Sequence, residues 1–213
     1  MQQIQKKIAA RFLYLWTYLE GKRKKFDQKE ISLLSNNCIA GVIYHSYGMK
    51  FRSPTVNIQM SPSDFLKFVN HLNRYRRCEL EEDQEPDVEK FRKLGGGEIH
   101  FPVGRLDDLV LYFQHAKSFE EAREKWIKRF ARLNKKNIRV ILVDTACTEE
   151  EIEQFSALPY PKVFLTKEQE KCALCTGDTF LLEPGVAWFE FSNRSRWGKK
   201  SCQLFNWSEW LQK

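Results

Sequence analysis

The chain has no apolar run long enough to cross a bilayer. Its first residues do not read as an export signal, because Lys6, Lys7 and Arg11 interrupt the apolar positions and no small-residue cleavage site follows. The six cysteines (38, 78, 147, 172, 175 and 202) are therefore expected as reduced thiols of a cytoplasmic protein. Histidine is scarce. His45, His71, His100 and His115 are the whole supply, so Cys172-x-x-Cys175 lacks the second ligand pair of a zinc knuckle, and no metal is expected. No Asp-x-Asp is present, only the pair Asp107-Asp108. The triple glycine 95–97 lacks the Gly-Lys-Ser/Thr ending of a phosphate loop and a following helical pattern. Basic residues are not interleaved with the aromatic strand motifs of RNA readers, which argues against a nucleic-acid partner.

What is present is a hydrophobic content of 42%, enough for one good core in 213 residues, and a net charge of +7, which suits an anionic partner. Met1 to Tyr18 reads as an amphipathic helix. Ile4, Ile8, Leu15 and Leu19 lie near one face, Phe12 and Trp16 extend it, and the basic run Lys22 to Lys25 follows. Residues 1–25 fit an anionic membrane surface, which would make the chain peripheral on the inner face of a membrane. They equally fit packing on the chain's own domain or on a partner subunit, and periodicity does not choose between these.

The centre of the reading is Ile31 to Met49. Ile31 to Leu34 reads as a buried strand, Ser35, Asn36 and Asn37 supply turn and cap chemistry, and Ile39, Val42 and Ile43 give a helical apolar face. Cys38 is thus expected in the first turn of a helix at the C-terminal end of a strand. There unpaired N–H groups and the helix dipole favour an anion and depress a thiol pKa. Further on, Thr55 to Ile58 alternates like a strand. Ser61, Pro62 and Asp64 open a helix running to about Arg77, and 78–97 reads as a surface excursion. Leu109 to Phe113 is the strongest strand pattern, expected with both sheet faces covered. Ser118 with Glu121 and Thr148 with Glu151 are capping boxes. Asn137 to Asp144 and Lys162 to Leu165 are further strands. The stretch beyond holds the aromatics Phe180, Trp188, Phe189 and Phe191 without a firm assignment, and the last residues read as a short amphipathic helix. Alternating strands and helices predict an α/β fold: a three-layer, Rossmann-like, mostly parallel sheet over 30–213, preceded by a basic amphipathic N-terminal helix over 1–29.

Six segments taken in order (35–45, 51–58, 64–68, 101–109, 112–129 and 158–166) resemble a bacterial family of exopolysaccharide biosynthesis proteins of unknown molecular function, from about Glu30 onward. The resemblance implies a role in capsule or exopolysaccharide assembly. The Asn37-Cys38 turn is also similar to that of capsule-biosynthesis acetyltransferases that bind coenzyme A. Where the first family usually shows His-Tyr, this chain has His115-Ala116, which argues against a direct chemical role at 116.

If the strand ends converge, Cys38 is the candidate nucleophile, His115 its general base and Asp144 the group that orients His115 or a sugar hydroxyl. Asn36 and Asn37 are candidates for an oxyanion site, and His45 is an alternative base. Arg123, Lys125, Arg129 and Arg132 are candidates for holding phosphates of acetyl-coenzyme A or a nucleotide sugar. Each has a bland counterpart: a packing thiol, a strand-end histidine, a turn aspartate and a solvated basic face. The expected function is a transferase of polysaccharide synthesis acting on a glycan or activated sugar, in one form an acyltransferase using Cys38. The alternatives are a non-catalytic membrane-associated scaffold and a glycosyltransferase using a nucleotide sugar.

Overall fold

The computed structural model describes residues 2–182 and 205–213, so Trp188, Phe189, Phe191 and Cys202 lie outside the described residues. Helix α1 (Gln2–Arg23) leads through a 3-10 turn (Phe26–Lys29) into strand β1 (Ser32–Ser35) and helix α2 (Ile39–Ser46). Helices α3 (Pro62–Asn70) and α4 (Leu72–Tyr75) follow. Then come β2 (Leu80–Glu82), α5 (Val88–Lys93), β3 (Val103–Leu106) and β4 (Leu109–Tyr112). The second half runs α6 (Phe119–Phe130), β5 (Ile138–Val143), α7 (Glu149–Ser156), β6 (Lys162–Thr166), α8 (Gln169–Leu174), β7 (Asp178–Leu181) and α9 (Trp207–Trp210).

Strands β1, β5, β6 and β7 form a parallel sheet in that order, with Leu34 opposite Val140 and Ile141 opposite Val163. Side chains alternate between its faces. Leu34, Val140, Leu142 and Phe164 pack with Phe65 and Phe68 of α3, Trp126 and Phe130 of α6, and Ile152 and Phe155 of α7. Leu33, Ile141, Val143, Val163 and Leu165 pack on the other side with Ile39, Ile43 and Tyr44 of α2 and with Trp207 and Trp210 of α9. This is a Rossmann-like three-layer α/β arrangement, and β2, β3 and β4 add a separate antiparallel sheet.

As an edge strand, β1 would leave backbone donors open. Side chains close them. The Tyr44 hydroxyl accepts from Leu33 N–H at 2.7 Å and donates to the Ile31 carbonyl at 3.0 Å, and Thr55 Oγ1 accepts from Ser35 N–H at 3.1 Å.

Several expectations need correction. Leu109–Tyr112 belongs to the antiparallel sheet. Its apolar run is continuous because the main core covers one side and Phe91, Val103 and Tyr112 form a satellite cluster on the other. The stretch 78–97 is no bare excursion, since it supplies β2 and α5 and buries Phe91 and Leu94. Thr55 to Ile58 is a turn. Thr55 is held by Ser35 and Ser53, Asn57 has φ +63°, and pairing begins only at the Gln59–Tyr112 bridge. The helix from Pro62 breaks at His71 (φ −126°), just after Asn70 turns its amide back onto the Leu66 carbonyl at 3.0 Å.

Candidate functional site

The residues that order this site lie where β1 and β5 end side by side. After Ser35 the chain turns to α2 on one face of the sheet. After Val143 it turns to α7 on the opposite face. Adjacent strands whose connections part in this way leave a crevice at their carboxyl ends, where open α/β sheets take ligands.

Asn36 joins the two strand ends. Its Nδ2 donates to the Val143 carbonyl and its Oδ1 accepts from Val143 N–H, both at 2.9 Å, so the side-chain amide extends the β1–β5 ladder by one rung. Its own carbonyl accepts from Met60 N–H at 2.9 Å. With both amide atoms bonded to Val143 and its carbonyl bonded to Met60, Asn36 holds the strands together.

Asn37 differs. Its Oδ1 accepts from Ile39 N–H at 3.0 Å, but its Nδ2 is buried with no partner among the described residues, and the residue is only 3% exposed. On the β5 side, Thr145 Oγ1 is also buried without a partner among the described residues. Ala146 follows with φ +68°, a left-handed conformation that costs a β-carbon residue free energy.

Cys38 is the N-cap of α2, at the predicted strand-to-helix corner. Two features of that corner run against expectation. The first-turn N–H groups of Ile39 and Ala40 already bond to Asn37 Oδ1 and Ser35 Oγ, so they do not point outward to an anion. The thiol is 6% exposed, and burial pushes its pKa up to about 12; desolvation of the thiolate outweighs the helix dipole. Its Sγ donates to Gln114 Oε1 at 3.8 Å, Gln114 Nε2 donates to Gln59 Oε1 at 2.6 Å, and Gln59 Nε2 donates to the Leu94 carbonyl. Cys38 is thus the end of a part-buried amide relay that ties the start of α2 to residues flanking the antiparallel sheet.

Two expected results follow from this burial. Iodoacetamide applied to the native chain modifies the part-exposed Cys78 and Cys172 before the buried Cys38, Cys147 and Cys175, an order read by peptide mass spectrometry. Burial also raises the pKa of Cys147 and Tyr44. Each of the three groups keeps its proton in the folded chain at a pH where the unfolded chain releases it. Cys38's share of stability is whole below its ordinary pKa of 9.0 and is lost as pH rises toward about 12. The slope is about 1.4 kcal/mol per pH unit for each group. Melting curves across this window should fall steeply, and less so for Cys38→Ser.

Asp144 sits at the C-terminal end of β5, as predicted. Its Oδ2 accepts from Thr166 Oγ1 at 2.6 Å, its Oδ1 from Cys147 N–H at 2.9 Å, and Lys171 of α8 pairs with it at 3.2 Å. Burial works against the charge of Lys171, but hydrogen bonds to Glu168 and Asp144 more than offset it, and its pKa is raised. Lys171 and Thr145 escape a sequence reading. Thr145 had one signal, its place directly after a strand-end aspartate. Lys171 had none, since it lies in the stretch beyond Leu165 that has no firm assignment from sequence.

Among the described residues no hydrogen bond links Cys38, His115 and Asp144. His115 is exposed and lines a small pocket with Lys125, Trp126 and Arg129, next to the Gln114 that receives the thiol. His45 is exposed and stacks on Tyr14 with ring centroids 5.1 Å apart. The basic residues of α6 are divided. Arg123 pairs with Glu79 and Lys125 with Glu121. Arg129 donates to the Val56 carbonyl at 2.7 Å and lies over the Phe51 ring, while Arg132 is exposed. No three His, Cys, Asp or Glu side chains among the described residues cluster to hold a metal ion.

A family model described as Domain of unknown function (DUF1919) matches residues 12–212, nearly the whole chain. The chain belongs to the DUF1919 family. It is also similar to an uncharacterized protein of Haemophilus influenzae, 32% identical over 195 residues that cover 89% of this chain and 87% of the relative. The DUF1919 match takes in both strand ends of the crevice, together with α2 and α8. Among the described residues no helix is long and apolar enough to cross a membrane.

Proposed function

We propose that this chain is a transferase of cell-surface polysaccharide synthesis, acting on the cytoplasmic side, that holds a phosphate-activated sugar at the ends of β1 and β5. The observation that carries this reading is the pair of unpartnered buried groups flanking the crevice, Asn37 Nδ2 and Thr145 Oγ1. A buried polar group without a partner is costly, and a ligand that supplies acceptors removes the cost. Lys171, paired with Asp144 at the end of β5, supplies a cation for phosphate oxygens, and Asp144 a carboxylate for a sugar hydroxyl. The link to polysaccharide is the one implied by the motif resemblance over 35–45 and 112–129.

In this reading Cys38 is a positioning residue. Acyl transfer through its sulfur would first require loss of the thiol proton, and Gln114, which accepts that hydrogen bond, is no base. The test is a melting-temperature titration with nucleotide sugars and with acetyl-coenzyme A. A nucleotide sugar is expected to stabilise the chain by about 2.7 kcal/mol at a hundredfold excess over Kd, rising logarithmically with its concentration. Cys38→Ala should keep that response. Stabilisation by acetyl-coenzyme A alone, with acetyl transfer that Cys38→Ala abolishes, would replace sugar transfer by the acyl form. No response to either would sink both.

A further inference from the structure

The C-terminal half of helix α1 turns Thr17, Tyr18 and Gly21 to the domain and Leu15, Trp16 and Leu19 away from it. On the inner side Thr17 is buried, and a Cβ placed on Gly21 would lie 2.1 Å from the Tyr47 carbonyl oxygen. The Tyr18 ring lies against Gly48. The Ser208 hydroxyl of α9 donates to Glu20 at 2.7 Å and Lys24 reaches the same hydroxyl at 2.6 Å. The C-terminal half of the helix is therefore clamped to α2 and α9. On the outer side Leu15, Trp16 and Leu19 are 50%, 62% and 54% exposed. They lie one turn apart or side by side. Exposed cations bracket them: Arg11 one turn before Leu15, and Lys22 and Arg23 one turn after Leu19 and two after Trp16.

A folded chain gains nothing by holding a tryptophan and two leucines in water on a clamped helix, so this face has an occupant. The charge selects it. Residues 1–25 carry Lys6, Lys7, Arg11, Lys22, Arg23, Lys24 and Lys25 against Glu20 as the only acid. A second copy docking by the same face, parallel or antiparallel, would bring arginine and lysine against arginine and lysine. An anionic bilayer surface receives both features: Trp16 and the leucines enter the headgroup boundary, and the flanking cations meet lipid phosphates. We infer that the outer face of α1 seats the folded chain flat on an anionic membrane. This inference does not depend on the transferase reading. It would set the crevice of that reading at a lipid surface, where a membrane-held acceptor could reach it.

The test is flotation of the full chain with vesicles of phosphatidylcholine, with and without phosphatidylglycerol, at physiological ionic strength. Binding is expected only with the anionic lipid and should weaken as salt rises. The double variants Trp16→Ser/Leu19→Ser and Arg11→Glu/Arg23→Glu should each lower the partition coefficient about tenfold. Unchanged melting temperatures would show that these exposed changes leave the fold intact. Equal binding to both vesicle types, no binding to either, or full binding by the variants would overturn the inference. So would a concentration-dependent dimer in light scattering that Trp16→Ser dissolves, because the face would then belong to a second copy.

Discussion

Alanine at position 36 lowers the stability of the chain by about 2–5 kcal/mol, because it strips both the N–H and the carbonyl of Val143 of their partner in a fully buried place. For a chain of this size that is a fall in melting temperature of about 10 °C. Asn36→Asp should be no better. It retains an acceptor for Val143 N–H but sets a carboxylate against the Val143 carbonyl in a fully buried place. Denaturant titration of the three chains measures the differences. A loss below about 1 kcal/mol for Asn36→Ala, the usual net worth of a single hydrogen bond, would show that β1 and β5 hold together without this amide.

The second large effect is on binding, with the fold left in place. Thr145→Val replaces a buried hydroxyl that has no partner by a methyl of nearly the same shape. Stability should hold or rise. Asn37→Ser keeps a side-chain oxygen for Ile39 N–H and loses the unpartnered amide donor, at a stability cost of about 1 kcal/mol or less. If these groups face a phosphate-activated sugar, each change should weaken nucleotide-sugar affinity about tenfold, and the two together about a hundredfold, by calorimetric titration. A chain that keeps its affinity while carrying both changes would show that the nucleotide sugar sits elsewhere.

Local rules reached much of this fold from the sequence. The caps were legible because their chemistry is short-range. Ser61 accepts from Asp64 N–H at 3.1 Å, and Thr148 with Glu151 forms the full reciprocal box. At Ser118 half of the expected box forms. The hydroxyl accepts from Glu121 N–H, but the Glu121 carboxylate reaches one residue further back, to Lys117 N–H. The strand–turn–helix at 32–46 was legible for the same reason. Sheet membership was not. Leu109–Tyr112 and Ile138–Val143 look alike as apolar runs, and only long-range packing makes one antiparallel and the other parallel.

The candidate site divides along the same line. That Asn36, Asn37, Cys38 and Asp144 lie at strand ends could be read from sequence. What each does there could not. Asn36 and Asn37 are neighbours of one residue type, yet one amide is spent on Val143 and the other is left with an idle donor. The state of the Cys38 thiol turned on a contest between dipole and desolvation that depth of burial decides, and depth belongs to the tertiary structure.

The place of β1 at the sheet edge has a bearing on how the chain assembles. Among the described residues its one backbone partner is β5, and the Asn36–Val143 clasp spans 107 positions. On a ribosome adding about 5–20 residues per second, β1 waits about 5–20 s for the strand it needs. For that interval Ile31, Leu33 and Leu34 have no sheet to enter. Helix α2 is made at once, however, and its Tyr44 can already occupy the Leu33 side of the strand. The early segment is thus guarded on one flank from the outset, while the other flank is completed late by a slow, non-local step.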